Sequence, residues 1–262
     1  MADAIKGPAI PRKGLPRPSG RGTPRVGPAR IAYFQRAALS WYQEKGRRLP
    51  WRRASCSRYG HVIAEVLLQR TRAEVVEKFF PKFLAKYPSW GALARAREED
   101  LGEFLTPIGL WRRRADTLRR LARAVRALRG GIPRERTEIE ALPGVGQYIA
   151  NAIELLCYER PRPLLDVNMA RVLERFFGPR KLADIRFDPY LQGLACAVVD
   201  CEDPKGLNWA ILDLATLVCR AKKPLHAECP LRARCKYARY AQVTQTTDSD
   251  ACPASERKGT GS

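Results

Sequence analysis

The spacing of apolar side chains predicts helices along most of this chain. Away from the two ends, apolar residues recur at intervals of three and four, which places them on one face of a helix. Two clear examples are the sets Leu118, Leu121, Val125, Leu128 and Val172, Leu173, Phe176, Phe177. The sequence contains no convincing alternation with a period of two and no internal repeat. The pattern therefore predicts an all-α fold.

The two ends have a different composition. Residues 1–29 are rich in proline, glycine and arginine and carry almost no large apolar side chains. Such a segment cannot bury enough surface to fold, so we predict a disordered basic tail. Residues 244–262, which begin Thr-Gln-Thr-Thr-Asp-Ser-Asp, are predicted to form a second disordered tail.

The net charge indicates the kind of partner. The 262 residues carry a formal net charge of +21. The first thirty residues hold seven basic side chains and one acidic side chain, so +15 remains on the rest of the chain. A folded body this basic indicates a polyanionic partner, most plausibly nucleic acid. The alternative explanation is the arginine-rich composition that is typical of a high-GC genome.

Other features of the composition exclude whole classes of protein. No apolar run reaches the roughly 18 residues that a membrane helix needs, and the basic N-terminus lacks the hydrophobic segment of a secretory signal. We therefore expect a cytoplasmic protein that does not bind membranes. In such a protein the eight cysteines favour a metal site over a disulfide framework.

A short glycine-containing segment, Leu142–Gly146, lies between two predicted helices. Its glycines, Gly144 and Gly146, allow backbone N–H groups to point outward at the start of the next helix. The partial positive charge of a helix N-terminus favours a phosphate oxygen there. Many helix hairpins use glycine merely to turn, but in so basic a chain the segment predicts a phosphate-binding hairpin.

A lone carboxylate, Asp166, follows the hairpin by about twenty residues and precedes a predicted helix. Its common role would be to cap that helix, which is worth about 1 kcal/mol. The same geometry, with Asn168 nearby, would hold the carboxylate in one place. There it could stabilise positive charge on a deoxyribose C1′ as a base departs. The spacing from the hairpin favours this catalytic interpretation.

These motifs resemble one enzyme family. Residues 142–148 (Leu-Pro-Gly-Val-Gly-Gln-Tyr) and 165–178 (Leu-Asp-Val-Asn-Met-Ala-Arg-Val-Leu-Glu-Arg-Phe-Phe-Gly) resemble the helix-hairpin-helix DNA glycosylases of the endonuclease III superfamily. The resemblance extends upstream to Leu-Pro-Trp at 49–51 and Ala-Glu-Val-Leu-Leu-Gln-Arg-Thr at 64–71, which look like the adenine and thymine mismatch branch. It continues through 108–110 to the cysteines near 219–235.

The resemblance implies two helical subdomains that flank a DNA-binding cleft. Residues 58–159 would form a six-helix barrel that includes the helix-hairpin-helix. Residues 30–57 and 160–243 would form a second subdomain that joins the N-terminal helix to an iron–sulfur cluster near the C-terminus. A monomer that binds mismatched double-stranded DNA in the nucleoid is expected.

The resemblance also implies three catalytic roles. Asp166 matches the family's catalytic aspartate. Glu65 matches a second acid, which assists base departure or positions water. Glu65 would otherwise be a surface carboxylate, but its apolar neighbours in the sequence predict a raised pKa suited to proton transfer. Tyr148 occupies the position at which lyase-competent members carry a lysine, and a tyrosine offers no amine for a Schiff base.

Two loops match the family's DNA-distorting elements. Gln69 and Arg70, together with Leu110, match loops that fill the gap left by an extruded base, although ordinary loop packing would also explain them. The adjacent cluster Arg112–Arg114 is predicted either to contact DNA or to form part of a solvated helix face.

The cysteines depart from the family's pattern. Relatives hold a [4Fe–4S] cluster with four cysteines, of which this chain keeps Cys219, Cys229 and Cys235, whereas His226 stands at the second position. Three interpretations remain open: His226 ligates the cluster, another atom completes it, or the site holds zinc as Cys3His. The matching residues around these positions favour the cluster.

The expected substrate is thymine or uracil opposite guanine, and the expected product is an abasic site in base excision repair. Adenine opposite guanine or 8-oxoguanine is the alternative, but adenine glycosylases carry an additional C-terminal domain, and this sequence ends soon after the cysteines. A non-catalytic protein that binds damaged DNA is a second alternative. The presence of both Glu65 and Asp166 disfavours it.

Overall fold

The structure, a computed structural model, describes residues 26–128 and 131–240. Within these ranges the chain is helical and contains no strand, so the predicted all-α fold is confirmed. The helices are α1 Pro28–Lys45, α2 Arg58–Leu68, α3 Ala73–Lys86, α4 Trp90–Arg95, α5 Glu98–Leu105, α6 Trp111–Ala127, α7 Arg136–Ala141, α8 Gln147–Tyr158, α9 Val167–Phe177, α10 Pro189–Val199 and α11 Pro204–Leu217. Almost all of the predicted N-terminal tail and the whole predicted C-terminal tail lie outside the described residues, and α1 begins at Pro28.

The buried apolar side chains form two clusters. The first cluster draws on α2 to α8 and includes Ile63, Phe83 and Leu118. The second draws on α1 and α8 to α11 and includes Phe34 and Phe176. Helix α8 contributes to both, because it is apolar around most of its circumference. The division of the chain into subdomains at residues 58 and 159 stays a prediction.

Polar side chains cap the helices that surround the cleft between the two clusters. The Ser57 hydroxyl accepts a hydrogen bond from Gly60 N at the start of α2, and Asp166 and Asp203 cap α9 and α11 in the same way. Helix α9 ends at Phe177 and is followed by Gly178, whose φ of 129° disfavours any other residue.

The part of the chain that the structure describes contains no helix with the length and apolar character of a membrane span.

Candidate active site

A cleft of about 640 Å³ lies where the two apolar clusters meet. Helices α2, α8, α9 and α11 and the segment before α2 contribute to its walls. Six of the nine predicted catalytic and DNA-binding residues line it: Glu65, Gln69, Arg70, Tyr148, Asp166 and Asn168. The remaining three, Leu110, Gly144 and Gly146, lie outside it. The tertiary structure therefore brings the three predicted catalytic side chains together from three different helices or their caps.

Glu65 is the buried acid of the cleft. It lies in the last turns of α2 and is only 5% exposed. Its Oε2 atom has no hydrogen-bond partner within the protein. Burial raises the pKa of Glu65 to about 7, against the opposing effects of the Tyr148 hydroxyl and the Arg52 guanidinium. The Glu65 side chain is therefore protonated in a large fraction of molecules near neutral pH.

Tyr148 lies beside Glu65 in the first turn of α8. Its hydroxyl is placed to hydrogen-bond the Glu65 carboxylate. Burial, together with the negative charges of Glu65 and Asp166, raises the pKa of Tyr148 well above its usual value. The phenol therefore stays protonated and donates a hydrogen bond, and it supplies no amine nucleophile.

Asp166 is held rigidly at the N-terminus of α9. Its Oδ1 accepts hydrogen bonds from Asn168 N at 2.9 Å and Met169 N at 2.8 Å, and its Oδ2 accepts one from Asn168 Nδ2 at 2.7 Å. The cap is compatible with the predicted catalytic role, because the capped carboxylate still lines the cleft. The Asn168 side chain orients Asp166, and its predicted contact with DNA stays a prediction.

The contacts of Asn168 continue to the cysteine-containing loop. Arg171 donates from Nη1 to Asn168 Oδ1 at 3.2 Å and from Nε to Cys219 O at 3.0 Å. A continuous chain of hydrogen bonds therefore joins the loop that begins at Cys219 to the Asp166 carboxylate. A change in the position of that loop could therefore alter the position of the Asp166 carboxylate.

Sequence reasoning missed an ion pair next to Glu65. Both Arg52 and Arg47 bind the carboxylate of Asp213, which is fully buried in α11. The Arg52 guanidinium also lies 5.5 Å from the ring centre of Trp209, another side chain of the cleft wall. The Leu-Pro-Trp motif at 49–51 pointed to this segment, but nothing in the sequence paired it with a carboxylate more than 150 positions away.

The hairpin at 142–146 joins α7 to α8 as predicted. Gly144 has a φ of +75°, and a Cβ at this position would lie 2.3 Å from Thr117 Cγ2. Gly146 precedes α8, and nothing lies within 4 Å of the position a Cβ would take. No side chain caps α8, so its first N–H groups have no side-chain partner, and the residue that precedes them, Gly146, is exposed. These groups suit a phosphate oxygen.

The predicted gap-filling loops lie side by side. Arg70 and Leu110 are exposed and both have left-handed backbone, with φ of 56° and 51°. The sequence predicts that the cluster Arg112–Arg114 either contacts DNA or forms part of a solvated helix face. Both alternatives are wrong for Arg114, which is 5% exposed and donates hydrogen bonds to backbone carbonyls. Arg114 lies four positions after the exposed Leu110, and its side chain is on the inner face of α6.

The cysteine-containing loop follows α11. Burial raises the pKa of the Cys229 thiol to about 11, and the Cys219 and Cys235 thiols act in the same direction. The ring of His226 instead packs edge-on against Tyr237, at 5.8 Å between ring centres. Among the described residues, no three or more His, Cys, Asp or Glu side chains are arranged to hold a metal ion. With the side chains in these positions, neither the three thiols nor His226 forms a ligand set.

Sequence comparison identifies the family. The profile of the HhH-GPD superfamily base excision DNA repair proteins matches residues 63–186, a range that holds Glu65, the hairpin and Asp166. The chain belongs to this superfamily.

Individual relatives extend the match to most of the chain. The thymine-DNA glycosylase of Aeropyrum pernix is 38% identical over 79% of this chain and 95% of its own length. The thymine/uracil-DNA glycosylase of Pyrobaculum aerophilum is 38% identical over 76% of this chain and 88% of its own length. The human adenine DNA glycosylase is 30% identical over 83% of this chain, but the chain spans only 41% of that protein. The predictions of the family and of a glycosylase enzyme are confirmed.

Solved structures agree with the fold. A thermostable thymine-DNA glycosylase has a TM-score of 0.76 and 29% identity, over 81% of this chain and 98% of its own. A non-covalent complex of endonuclease III with DNA has a TM-score of 0.71 at 21% identity, over 83% of this chain and 99% of its own, which shows a shared fold only.

Proposed function

We propose that this protein is a monofunctional DNA glycosylase that hydrolyses the N-glycosidic bond of thymine or uracil opposite guanine and leaves an abasic site. One observation carries the proposal: a buried acid with a pKa of about 7 and a firmly held carboxylate share a single cleft. A reaction in which a base departs from a deoxyribose needs both a proton donor for the base and a negative charge beside C1′.

The two carboxyl groups take different roles because their surroundings differ. Protonated Glu65 donates its proton to the departing base, and its unpartnered Oε2 faces no competing group of the protein. The Asp166 carboxylate stabilises the positive charge that develops on C1′, because three N–H groups hold it in place. After the proton transfer, the Glu65 carboxylate can position the water that attacks C1′, and the Tyr148 hydroxyl stabilises that charged form.

DNA binding rests on the hairpin and the two loops. The N–H groups of the exposed residues Gly144 and Gly146 and of the start of α8 bind a phosphate, while Gln69, Arg70 and Leu110 fill the space of the extruded base. We propose that a monomer bound to mismatched double-stranded DNA in the nucleoid of the cytoplasm is the working form. The basic composition supports a location on DNA.

The preference for thymine or uracil can be tested with four DNA duplexes of otherwise identical sequence. The relatives at 38% identity are a thymine-DNA glycosylase and a thymine/uracil-DNA glycosylase, so we expect faster single-turnover release from T·G and U·G than from A·G or A·8-oxoguanine. The four duplexes should differ only in the mismatch and be measured at saturating enzyme. Faster release of adenine would make adenine glycosylase the correct assignment. Binding to all four without release from any would support the damage-binding alternative.

We also expect the product to be an intact abasic strand. Tyr148 stands where a lysine would be needed, and its protonated phenol cannot form a Schiff base with C1′. Borohydride should therefore trap no covalent complex, and strand breaks should appear only after alkali. Tyr148→Lys provides the positive control, because a restored amine should yield a trapped adduct. Efficient trapping by the wild-type protein would reveal another amine nucleophile.

We propose that the loop after α11 holds a [4Fe–4S] cluster through Cys219, Cys229 and Cys235, with His226 as the fourth ligand. The spacing of the four residues and the proximity of the three thiols support this assignment. The present side-chain positions do not, because among the described residues no three His, Cys, Asp or Glu side chains are arranged to hold a metal ion, so ligation requires the thiols as well as the His226 ring to move. Zinc bound by the same four side chains is the alternative. The cluster would fix the loop and takes no part in the chemical steps above.

The cluster assignment predicts a yellow-brown protein with about four irons per chain. Imidazole ligation makes a cluster less negative, so His226→Cys should retain the iron and lower the reduction potential. His226→Ala should make the cluster more labile. Anaerobically purified protein that contains zinc and no iron would overturn the assignment. If His226→Ala kept its full iron content and an unchanged reduction potential, His226 would not be a ligand, but the cluster assignment would stand.

A further inference from the structure

We infer that Arg114 is a positioning residue that locks the two gap-filling loops into one rigid unit, a role that rests on the DNA glycosylase function proposed above. The two loops are the residues after α2, Gln69–Thr71, and the residues before α6, Ile108–Leu110. They are far apart in the sequence and come from different helices. Something must hold them at a constant separation if both are to enter the same base stack.

The contacts of Arg114 connect both loops. Its Nη1 donates to Ile108 O at 3.0 Å and also to Gly109 O. Its Nη2 donates to Gln69 O at 2.8 Å and to Thr71 Oγ1 at 2.9 Å. The Thr71 hydroxyl in turn donates to Ile108 O at 3.2 Å, which closes the network. One guanidinium therefore binds backbone groups of both loops at once.

The location of Arg114 excludes a role as a phosphate contact. The residue is 5% exposed, and its two Nη atoms are occupied by carbonyl and hydroxyl oxygens of the protein. Burial lowers the pKa of its guanidinium, which reflects the loss of water around the charge. Carbonyl dipoles of the two loops replace that water, so the charge is stabilised only while both loops keep their present shape.

The backbone conformation of the loops shows why a lock is needed. Arg70 and Leu110 have φ of 56° and 51°, a left-handed region that side-chain-bearing residues adopt only when their surroundings impose it. Each lies next to a residue whose carbonyl accepts from Arg114, namely Gln69 and Gly109. The hydrogen bonds of Arg114 therefore hold the two strained residues in the conformation that turns their side chains outward.

The test compares Arg114→Met and Arg114→Lys with Arg120→Met. Arg120 is an exposed arginine on the same helix, paired only loosely with Asp116 at 3.5 Å, so its substitution controls for the loss of one positive charge. Amide hydrogen exchange on the free, full-length proteins reports the loops directly. The fluorescence of 2-aminopurine in a T·G duplex measures extrusion of the base. The affinity of each protein is measured for that duplex and for a fully paired duplex.

If Arg114 holds the two loops together, the backbone amides of residues 69–71 and 108–110 should exchange hydrogen at least about tenfold faster in Arg114→Met than in wild type. Amides elsewhere should change little. The extrusion signal and the single-turnover rate fall by about tenfold or more, because small displacements of positioning groups are costly. Affinity for the paired duplex stays within about twofold of wild type, since the hairpin is untouched. Arg114→Lys, with up to three donors, restores part of both signals, and Arg120→Met behaves as wild type.

Other outcomes overturn the inference. Unchanged loop exchange and unchanged extrusion in Arg114→Met would show that the loops hold their shape without the guanidinium. An equal loss of affinity for both duplexes would make Arg114 a general DNA contact. If Arg114→Met does not fold, Arg114→Lys against Arg120→Met carries the same comparison. A wild-type protein that extrudes the base but releases none would sink the glycosylase proposal while leaving the exchange result, and hence the lock, intact.

Discussion

Asp166→Asn is expected to reduce base release by at least about a thousandfold, which corresponds to about 4 kcal/mol of lost transition-state stabilisation. The fold should survive, because asparagine caps a helix as well as aspartate does. The new side-chain oxygen can still accept hydrogen bonds from Asn168 N and Met169 N. What is lost is the negative charge beside C1′. Affinity for the mismatched duplex should therefore change little.

The experiment is a single-turnover measurement with the preferred mismatch at saturating enzyme, together with an equilibrium titration of the same DNA. Asp203→Asn is the matched control, because Asp203 also caps a helix, α11, and accepts from Gly206 N at 2.8 Å. That substitution should leave the rate unchanged. A rate for Asp166→Asn near that of wild type would show that another group stabilises C1′.

Glu65→Gln is expected to make the protein slower and more stable. The glutamine cannot donate a proton to the base, so base release should fall by about a hundredfold or more. In the wild-type protein the rate should decline as pH rises through about 7, where Glu65 loses its proton. The residual rate of Glu65→Gln should lack this decline.

The stability effect follows from the direction of the pKa shift. Folding raises the pKa of Glu65 from about 4.5 to about 7, so the folded state holds the proton more tightly than the unfolded state. The contribution of Glu65 to stability is therefore fully present below about pH 4.5 and is lost as pH rises through about 7. At pH 8 the ionised, buried carboxylate costs roughly 3 kcal/mol, and Glu65→Gln removes that cost.

Urea unfolding at pH 5 and pH 8 measures this effect. The free energy of unfolding of Glu65→Gln should exceed that of wild type clearly at pH 8 and only slightly at pH 5. Glu74→Gln is the control, because Glu74 stands at the rim of the same cleft with a 62% exposed side chain. Its substitution should change neither value appreciably. Equal stabilities of wild type and Glu65→Gln at pH 8 would mean that Glu65 is solvated in solution.

The helices and the candidate roles of Gly144, Gly146 and Asp166 could be predicted from local patterns in the sequence, whereas the candidate roles of Glu65 and Tyr148 came from the resemblance to the glycosylase family. The period of three and four places Leu118 and Phe176 in helices without reference to any other element. A glycine pair before α8 and an aspartate before α9 mark helix starts, and each is readable within a few residues. The apolar neighbours of Glu65 in the sequence likewise predicted that it is buried and that its pKa is raised.

What the sequence could not determine were interactions between residues that are distant along the chain. The ion pair of Arg52 with Asp213 joins the segment before α2 to α11, and no local pattern encodes such a pairing. The role of Arg114 was misjudged for the same reason. In the sequence it is one of three consecutive arginines and resembles its neighbours. Only the packing of α6 against α2 decides that this guanidinium turns inward and binds the carbonyls of two loops.

The sequence by itself thus determined the helical class and the position of the glycine hairpin before α8, and it singled out Asp166 at a helix start, since helix periodicity and helix-end chemistry are local properties. The tertiary structure alone decided which of these groups meet. It places Glu65, Tyr148 and Asp166 in one cleft, so that their charges act on one another, and it buries Arg114 between the loops. The physical reason is that the burial and electrostatic coupling of a side chain depend on every element packed around it, and those elements come from the whole length of the chain.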